Sequence, residues 1–558
     1  MGVITRGLAL RYPAQDEWAL DAIDLDIVPG QVTWLDGALG SGTSTLLLAL
    51  GGLAPRLTGG DRRGLVLVDD HDPDAGAPLS HGIAYLGPSP AVQVSGVART
   101  VLGEVALGPM NCGWTRERAL THAHDALRAL DVVHLAERAP GTLSGGETQR
   151  MILAALLASA PRIWLLDEPF SALDRAATER VQRLLRDSAA AGRTVIVACD
   201  DADVMLPIAD RLIVLRAGRV ALDGSPSALL ADDAILEAGA GTTDAGDLAV
   251  RSGIGPPRPL TSHDLLARIS SRLPHAAQID SPDLMMPQPG SDSGPLRFDD
   301  VSFGYRHDTP VLERITLDIR AGEAVGLFGA NGAGKSTLLR LAMALEHPLN
   351  GTITTLGRET IGLHPEDLAP QAAFLFQSPE RQLFAASVRA ECSLAPKLAG
   401  WDRDRIADEV AATLDELGLT DTAEQHPYDL PLPRRRLVAL AAILSVDPDL
   451  LLLDEPTAAL DCTSRNRVIR VIRERVRRGR TVLAITHDPI LAHEVLDRGV
   501  LLDRGRVAHD GTIRAIIDGN RMARPAALIV AVALGLERGS DRRDDVAERL
   551  RTDEGGVP

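Results

Sequence analysis

The sequence predicts an α/β fold that occurs twice along one chain, with helices packed against a mostly parallel sheet in each copy. Three observations support this prediction. Similar landmarks recur at a nearly constant spacing, each half has a short apolar segment that runs into a glycine-rich loop, and each half later has a continuous apolar run of strand length. Continuous apolar runs are typical of strands buried on both faces, as parallel sheets require.

The repeat is visible in the positions of equivalent residues. Ser44 and Ser336 are 292 residues apart, and Asp167 and Asp454 are 287 residues apart. A tandem duplication explains a spacing that drifts by a few residues, because surface loops tolerate small changes in length. We therefore expect two similar domains.

Each half shows its strand and helix signals in the same order. Apolar segments at 32–35 and 324–328 precede the glycine-rich loops, and the Leu- and Ala-rich segments after the loops indicate helices. Later apolar runs at 163–166 and 450–453 indicate buried strands. This order predicts the same sheet in both halves.

Composition suggests the domain boundaries. We expect a first domain at 1–237, a flexible linker rich in Gly, Ser, Pro and Asp at 238–295, a second domain at 296–522 and a C-terminal tail at 523–558. Within the linker, the segment 262–273 carries apolar residues along one helical face, so we expect an amphipathic helix that packs as a strap.

The overall charge bears on the class of partner. The 558 residues carry a formal net charge of −18, whereas proteins that bind nucleic-acid phosphates commonly present a basic patch. We therefore expect no nucleic-acid partner. The four cysteines lack paired metal-ligand spacing and favour a reducing compartment. The sequence contains no run of roughly 20 apolar residues, the length that a membrane span needs.

The second half contains a complete phosphate-binding loop of the Walker A pattern. The loop and the residue after it are Gly329, Ala330, Asn331, Gly332, Ala333, Gly334, Lys335, Ser336 and Thr337. Successive backbone N–H groups at a helix start bind phosphate, and glycines let the backbone come close. Lys335, one of only two lysines in the chain, is expected to contact the β- and γ-phosphates of ATP, and Ser336 to ligate Mg²⁺.

Other polar residues of the second half predict a hydrolysis site. Asp454 and Glu455 follow a buried apolar run, so we expect one carboxylate near the metal ion and the other beside the attacking water. His487 is expected to hydrogen-bond the γ-phosphate, Gln377 to contact the metal and the water, and Tyr305 to stack on adenine. Their order around a Walker loop favours these roles over purely structural ones.

These motifs resemble the nucleotide-binding domains of the ATP-binding cassette (ABC) family. The most specific element is the signature Leu143-Ser144-Gly145-Gly146-Glu147 of the first half, and the resemblance covers residues 1–236 and 296–520. It implies two tandem P-loop NTPase domains, each a mostly parallel sheet flanked by helices with an antiparallel β subdomain and a helical subdomain. It also implies head-to-tail pairing, in which the Walker loop of one domain and the signature of the other hold each ATP.

Carried over residue by residue, the resemblance implies two unequal ATP sites. One combines the Walker residues of the second half with Ser144, Gly145 and Gly146 of the first. The other is expected to be degenerate. Its residues are Gly37, Gly42, Thr43, Ser44, Pro88, Asp167, Glu168 and Asp200.

Four departures from the family pattern weaken the degenerate site. Thr43 replaces the lysine and cannot supply its ionic hydrogen bond to phosphate, a contact of about 1.5–3 kcal/mol. Pro88 stands at the Gln position, and Asp200 at the His position brings negative charge toward a polyanion. Pro431 and Pro433, in place of the opposing signature, lack N–H donors. We expect hydrolysis at one site only.

The resemblance implies an ATP-hydrolysing motor subunit of a membrane importer. Such cassette pairs work with separate integral membrane subunits, here expected to be a coupling transmembrane protein and a substrate-binding component, at the cytoplasmic face of the membrane. The segment 376–384 resembles the Gln-loop region of energy-coupling factor transporters, which import vitamins and metal ions. Leu383 and Phe384 in this segment are expected to be exposed and to dock a membrane subunit.

Two alternative functions stay open. One is a fused sugar-importer ATPase, which is also a tandem cassette protein with one weak site. The other is a soluble cassette protein that acts on ribosomes or DNA. Such ribosome factors resemble two intact cassettes joined by a long, charged helical linker, whereas this linker is rich in Gly, Ser and Pro and the net charge is negative.

Overall fold

The computed structural model describes residues 2–13, 15–75, 82–269, 294–306, 310–330, 332–521, 524–534, 536 and 541–552. The chain divides into two compact units. Unit 1 comprises Met1–Arg272 together with Ala547–Pro558, and unit 2 comprises Leu273–Val546. Each unit contains one copy of the predicted repeat.

Unit 1 mixes strands and helices along its length. Its strands are β1 (Val3–Arg11), β2 (Leu20–Ile27), β3 (Val32–Asp36), β4 (Asp61–Val68), β5 (Ile83–Leu86), β6 (Ile163–Asp167), β7 (Thr194–Ala198), β8 (Arg211–Arg216) and β9 (Arg219–Gly224). Its helices are α1 (Thr43–Leu50), α2 (Val101–Asn111), α3 (Arg116–Ala129), α4 (Gly145–Ala158), α5 (Arg175–Ala190), α6 (Ala202–Met205), α7 (Pro226–Leu230), α8 (Ala234–Glu237), α9 (Asp244–Arg251) and α10 (Ser262–Ile269).

The strands of unit 1 form two sheets. The larger has the order β5-β6-β7-β3-β8-β9, and all neighbours are parallel except the antiparallel pair β8 and β9. The smaller is an antiparallel sheet with the order β2-β1-β4. Helices α2, α3 and α4 pack on one another as a helical subdomain.

Unit 2 repeats this arrangement. Its strands are β10 (Leu296–Phe303), β11 (Leu312–Ile319), β12 (Ala324–Phe328), β13 (Asn350–Thr355), β14 (Arg358–Glu359), β15 (Ala372–Leu375), β16 (Leu450–Asp454), β17 (Thr481–Ile485), β18 (Arg498–Asp503) and β19 (Arg506–Thr512). Its helices, including the last one, whose C-terminal part is grouped with unit 1, are α11 (Lys335–Ala342), α12 (Pro365–Leu368), α13 (Val388–Cys392), α14 (Leu394–Leu398), α15 (Arg403–Leu417), α16 (Leu432–Leu444), α17 (Cys462–Arg477), α18 (Pro489–Val495), α19 (Ile513–Ile516), α20 (Ala526–Leu534) and α21 (Arg543–Thr552).

The sheets of unit 2 correspond to those of unit 1. The larger has the order β15-β16-β17-β12-β18-β19, again parallel except for its last pair, and the smaller is antiparallel with the order β11-β10-β13-β14. Helices α13, α15 and α16 form the helical subdomain. The predicted α/β fold of two similar domains is confirmed.

Burial in the large sheets explains the continuous apolar runs. Every residue of β3, β6 and β7 is buried, as is every residue of β12, β16 and β17. Trp34 and Trp164 are fully buried in the layer between the sheet of unit 1 and its helices. Because parallel strands end at the same edge, the loops after β12, β15, β16 and β17 line one edge of the unit 2 sheet.

Part of the segment that composition assigns to a flexible linker is helical. The amphipathic helix predicted at 262–273 is present as α10, and its residues Leu265 and Ile269 are buried. Helix α9 precedes it, with Leu248 fully buried. These apolar faces pack within unit 1, so its ordered part continues past residue 237. Residues 270–293 of the predicted linker lie outside the described residues.

The segment predicted as a C-terminal tail contains two helices. Helix α20 has nine residues, of which Leu528 and Val530 are buried. Helix α21 buries Val546 and Leu550. Among the described residues, every helix is too short or too polar to cross a bilayer.

Leu452→Ala is expected to destabilise unit 2 by about 3 kcal/mol, because the side chain is fully buried in β16 and its loss leaves a cavity between sheet and helix. Leu349→Ala, at a side chain that is 45% exposed, is the control and should cost much less. Chemical unfolding of the full chain measures both. Equal losses would contradict the assignment of β16 to the core.

Candidate functional site

Backbone geometry shapes the phosphate loop of unit 2. After β12, the chain passes through Gly329, Gly332 and Gly334 with φ of 142°, 83° and 99°. These values lie in the region that side chains with a Cβ rarely adopt. A Cβ on Gly334 would also lie 2.5 Å from Leu312 Cδ2, and one on Gly329 would lie 2.3 Å from the Leu502 carbonyl oxygen. The backbone conformation of the predicted loop therefore requires glycine at these positions.

Lys335 is the first residue of α11 and lies over this loop. Its Nζ donates to the carbonyl oxygens of Gly329 at 2.7 Å and Ala330 at 3.1 Å, and the residue is only 8% exposed. The ammonium is thus held at the start of a helix, where the macrodipole also favours anions. Thr337, two residues later, contacts the hydroxyl of Tyr305 at 3.3 Å.

Asp454 ends β16 beside the start of α11. It is 3% exposed, and this burial raises the pKa of its carboxyl group to about 6, against the opposing effects of a hydrogen bond from Ser336 and the charge of Lys335. The structure therefore brings together three of the predicted residues. A hydroxyl, a carboxylate and an ammonium meet where the loop joins the helix.

Glu455 follows Asp454 in the left-handed backbone region, with φ of 54°. The His487 N–H donates to Glu455 Oε2 at 3.2 Å, and His487 Nε2 lies 3.6 Å from Glu455 Oε1. Burial raises the pKa of Glu455 to about 7, while the His487 hydrogen bond and the charges of Lys335 and Arg436 act in the opposite direction. This carboxyl group changes charge near neutral pH.

The remaining predicted residues of unit 2 are less enclosed. Gln377 follows β15 and is exposed at the same sheet edge. Tyr305 is 60% exposed, and its ring meets that of Phe303 edge-on, with centroids 5.0 Å apart. An exposed aromatic ring held by a neighbouring ring can stack on a flat base. Asn331 lies outside the described residues.

The corresponding loop of unit 1 keeps the same backbone. Gly37, Gly40 and Gly42 have φ of 152°, 84° and 104°, close to those of the second loop. Helix α1 then starts at Thr43, with Ser44 next. The cradle of backbone groups is retained, but the side chain at the lysine position carries no charge.

Acidic groups dominate the rest of the unit 1 edge. Burial raises the pKa of Asp167 to about 6, opposed by a hydrogen bond from Ser44. Burial also raises the pKa of Glu168, and the charges of Asp200, Asp167, Asp201 and Asp36 raise it further. The causes of the Glu168 pKa shift thus include four acidic neighbours, whereas those of the Glu455 shift include one acidic neighbour, Asp488, and two cationic ones, Lys335 and Arg436.

A thiol joins this acidic cluster. Ligand atoms of Glu168, Cys199 and Asp200 all lie within 4.8 Å of one another. Pro88, at the Gln position, is exposed after β5. The sequence predicts Glu168 and Asp200 as site residues but not Cys199, because a single cysteine in a buried strand end resembles a core residue.

The signature of the first half begins α4. Ser144 is the N-cap: its Oγ accepts from the Glu147 N–H at 3.4 Å, and its own N–H donates to Glu147 Oε2 at 2.8 Å. This capping box fixes the helix start, at which Gly145 and Gly146 are the first residues. Their N–H groups belong to the first turn, which has no intrahelical acceptors and attracts anions.

The counterpart in the second half, α16, begins differently. Pro431 is the N-cap without a side-chain cap, and Pro433 provides no N–H. Arginines then anchor the first turn. Arg434 Nη1 lies 2.7 Å from Asp421 Oδ2, and Arg435 donates to two preceding backbone carbonyls. The first turn is therefore held by arginine contacts, and the prolines at 431 and 433 leave fewer N–H groups there than at the start of α4.

The two apolar residues after the Gln loop differ in exposure. Phe384 is 77% exposed, as predicted, whereas Leu383 is 4% exposed and belongs to the core under the helical subdomain. The expectation that Leu383 is exposed is wrong, because its side chain belongs to an apolar cluster that also contains residues of β15 and α16. Phe384 alone presents an apolar surface there.

Comparison with known proteins gives a consistent result. The profile of the family described as "ABC transporter" matches residues 20–171 and 312–458, more than half of the chain. Three relatives carry the name "Putative ABC transporter ATP-binding protein". The Streptomyces coelicolor protein is 32% identical over 545 residues, covering 91% of this chain and 94% of that protein. The Methanosarcina acetivorans protein is 30% identical, covering 90% and 84%. The Bifidobacterium longum protein is 31% identical, covering 92% and 66%.

Glu455→Gln is expected to stabilise unit 2 at pH 8 by about 3 kcal/mol. The pKa of Glu455 rises from about 4.5 to about 7 on folding, so the stability lost to this carboxylate grows as the pH rises above 4.5 and is complete above about pH 7. Below pH 4.5 both states are protonated and the effect vanishes. Thermal unfolding at pH 8 and pH 4 measures it.

Glu409→Gln, at an exposed position of α15, is the matched control and should leave the melting temperature unchanged at both pH values. If Glu455→Gln melts below the wild type at pH 8, the prediction is wrong, because the surrounding charges and hydrogen bonds then offset the cost of burying the ionised carboxylate.

Proposed function

Since this chain belongs to the ABC transporter family, we propose that it is the motor subunit of a membrane importer of the energy-coupling factor type, built for a vitamin or a metal ion. The chain is an ABC ATPase with two cassette domains that bind ATP. In our proposal, one site hydrolyses ATP, one site is degenerate, and the released energy drives separate membrane subunits.

The observation that carries hydrolysis is the arrangement around Lys335. Its ammonium lies over the loop, at the start of a helix, and its charge acts on both Asp454 and Glu455. One position therefore combines a phosphate-binding cation, a carboxylate for a metal ion and a carboxylate that can accept a proton. Phosphoryl transfer depends on such positioning and charge stabilisation.

Ser336 and Asp454 are suited to hold Mg²⁺. They offer a hydroxyl and a carboxylate oxygen in hydrogen-bonding contact with each other, and Mg²⁺ prefers oxygen ligands. The raised pKa of Asp454 shows that burial disfavours its negative charge, which fits a divalent cation as partner. Gln377 would contribute from the loop after β15. Bound Mg²⁺ neutralises charge on the phosphates.

We assign Glu455 the role of accepting a proton from the attacking water. Its pKa of about 7 makes it a stronger base than an ordinary carboxylate while leaving it ionised in part at neutral pH. The His487 N–H orients the carboxylate through Oε2. His487 would direct its ring to the γ-phosphate. Lys335 would neutralise negative charge of the phosphates from its position over the loop.

We propose that the active site is composite and that its counterpart is silent. The active site would combine the unit 2 loop with Ser144, Gly145 and Gly146 of the first half. In the degenerate site, Thr43 supplies no cation, and the acidic groups around Glu168 create a negative field that opposes a polyanion. That difference in charge supports hydrolysis at one site per cycle.

The import function is supported by the segment 376–384. It resembles the Gln-loop region of energy-coupling factor transporters, and Phe384 leaves most of its ring exposed seven residues after Gln377. A membrane subunit that docks on Phe384 would contact the segment that follows the proposed metal-sensing residue. The proposed partners are a coupling transmembrane protein and a substrate-binding membrane component, with this chain at the cytoplasmic face of the membrane.

Lys335→Ala is expected to abolish ATP hydrolysis, whereas Thr43→Ala should leave it nearly unchanged. The first change removes an ionic contact to phosphate of about 1.5–3 kcal/mol, and the second removes none. Steady-state ATPase activity of the full chain with Mg-ATP measures both. Lys397→Ala, at the exposed second lysine of the chain, is the control and should retain full activity. Equal losses at Lys335 and Thr43 would refute the asymmetric model.

Phe384→Ala is expected to reduce co-purification of membrane subunits from gently solubilised membranes at least about fivefold, because aromatic anchors dominate interface energies. Affinity for ATP should not change. Leu398→Ala, at a side chain that is 87% exposed, is the matched control and should retain the partners. Full retention by Phe384→Ala would exclude this docking surface, and ATPase stimulation by ribosomes or DNA would favour the soluble alternative.

A further inference from the structure

Arg436 joins three segments of unit 2. It is the fifth residue of α16, and its Nη1 donates to the Ala458 carbonyl oxygen at 2.6 Å. Its Nε lies 3.7 Å from Glu380 Oε2. Glu380 belongs to the 3-10 turn Pro379–Gln382, which begins two residues after Gln377. One guanidinium therefore connects the helix of the lost signature, the loop after β16 and the Gln loop.

This contact places two opposite charges in a largely buried position. The side chains of Arg436 and Glu380 are 19% and 14% exposed, and burial lowers the pKa of Arg436. Removing two charges from water costs about as much as their attraction returns, so a buried ion pair is weak evidence of added stability. Added stability therefore does not explain why this ion pair is present.

In unit 1 an uncharged residue holds the corresponding loop, the one after β6. Gln149 is the fifth residue of α4 and fully buried. Its Nε2 donates to the Glu168 carbonyl oxygen at 3.1 Å, and its Oε1 accepts from the Ala172 N–H at 3.1 Å. Ala91, the second residue of the matching 3-10 turn, stands where unit 2 has Glu380. A neutral amide is thus sufficient to hold this loop in the fold.

The two charges are present together in one unit and replaced together in the other. Arg436 and Glu380 occur in the unit with Lys335, whereas Gln149 and Ala91 occur in the unit that has Thr43 in its place. Both contacting positions therefore differ between the units, as expected if each charge needs the other. This difference also connects the pair with the unit to which we assign hydrolysis.

We propose that Arg436, paired with Glu380, is a positioning residue for hydrolysis: it fixes the loop that carries Glu455 relative to the Gln loop. The proposal rests on the proposed function, since it concerns turnover at the Lys335 loop. Ala458, to which Arg436 donates, is only three residues after Glu455. The charge of Arg436 also acts on Glu455 directly and favours its ionised form.

The expected effect is on turnover and not on ATP binding. Phosphate is held by the Lys335 loop, which the pair does not touch, whereas a small displacement of a reacting group can lower a rate by up to about a hundredfold. Arg436→Gln leaves the Glu380 carboxylate buried without its partner, which disturbs the position of the Gln loop relative to the loop that carries Glu455. We expect kcat to fall about tenfold, with KM for ATP within about twofold of the wild type.

The double variant Glu380→Ala with Arg436→Gln recreates the Ala91 and Gln149 arrangement of unit 1. It should recover to within about threefold of wild-type kcat, because the unpaired carboxylate is gone and the amide can hold the loop. Arg436→Lys keeps the charge but loses the forked geometry, so its kcat should lie between those of the wild type and Arg436→Gln.

The control is Arg434→Gln, in the same helical turn, where the ion pair with Asp421 lies away from the loop. It should leave kcat and KM unchanged. Each variant is compared by thermal unfolding and by steady-state ATPase activity of the full chain. If Arg436→Gln does not fold, the double variant and Arg436→Lys still measure the pair, since each keeps a side chain that can donate to Ala458.

Unchanged kcat in folded Arg436→Gln would overturn the proposal. So would a double variant whose loss equals the product of the two single losses, because the charges would then act independently. If only the double variant can be measured, a kcat more than about tenfold below that of the wild type would also overturn the proposal. These outcomes differ from failure of the proposed function, which would appear as retained ATPase activity in Lys335→Ala.

Discussion

Both candidate sites depend on one constraint: the parallel sheet buries two consecutive carboxylates at the edge where the glycine loop begins. Burial raises the pKa of Asp167 and of Asp454 to about 6 in each case. The next residue differs between the units. The charges of Lys335 and Arg436 counteract the effect of burial on Glu455, whereas acidic neighbours add to it in unit 1. The chemistry of each site follows from which charges its fold brings to this edge.

The fold itself does not depend on this chemistry. Gly37 and Gly42 keep the φ values of Gly329 and Gly334, because the loop must turn between a buried strand and a helix in either unit. A threonine at the start of α1 satisfies this geometry as well as a lysine does. A threonine at this position therefore supplies no positive charge but leaves every structural element in place, which explains how unit 1 keeps its fold.

The sequence predicts the features that local physics determines. Continuous apolar runs identify the buried strands, and glycines at required positive φ identify both loops, so the two similar sheets are confirmed and Lys335, Ser336 and Asp454 lie together at one of them. Long-range packing decides the rest. Leu383 and Phe384 are adjacent and equally apolar, yet only contact with distant helices buries one of them. Helix α9 is not predicted, because the glycine and aspartates in its segment favour a loop although its apolar face packs within unit 1. The partner of Arg436, 56 residues earlier in the chain, carries no local signal either.

In the second half, the residues that replace the signature make contacts of their own. Where Ser144 and two glycines leave N–H groups at the start of α4, the second half starts α16 with prolines and anchors its first turns with arginines. Pro431 and Pro433 thus remove two N–H groups from this helix start. Arg436 contacts the loops beside the proposed hydrolysis residues of its own unit. The changes at this helix start therefore accompany contacts that hold the loops beside Glu455 within unit 2.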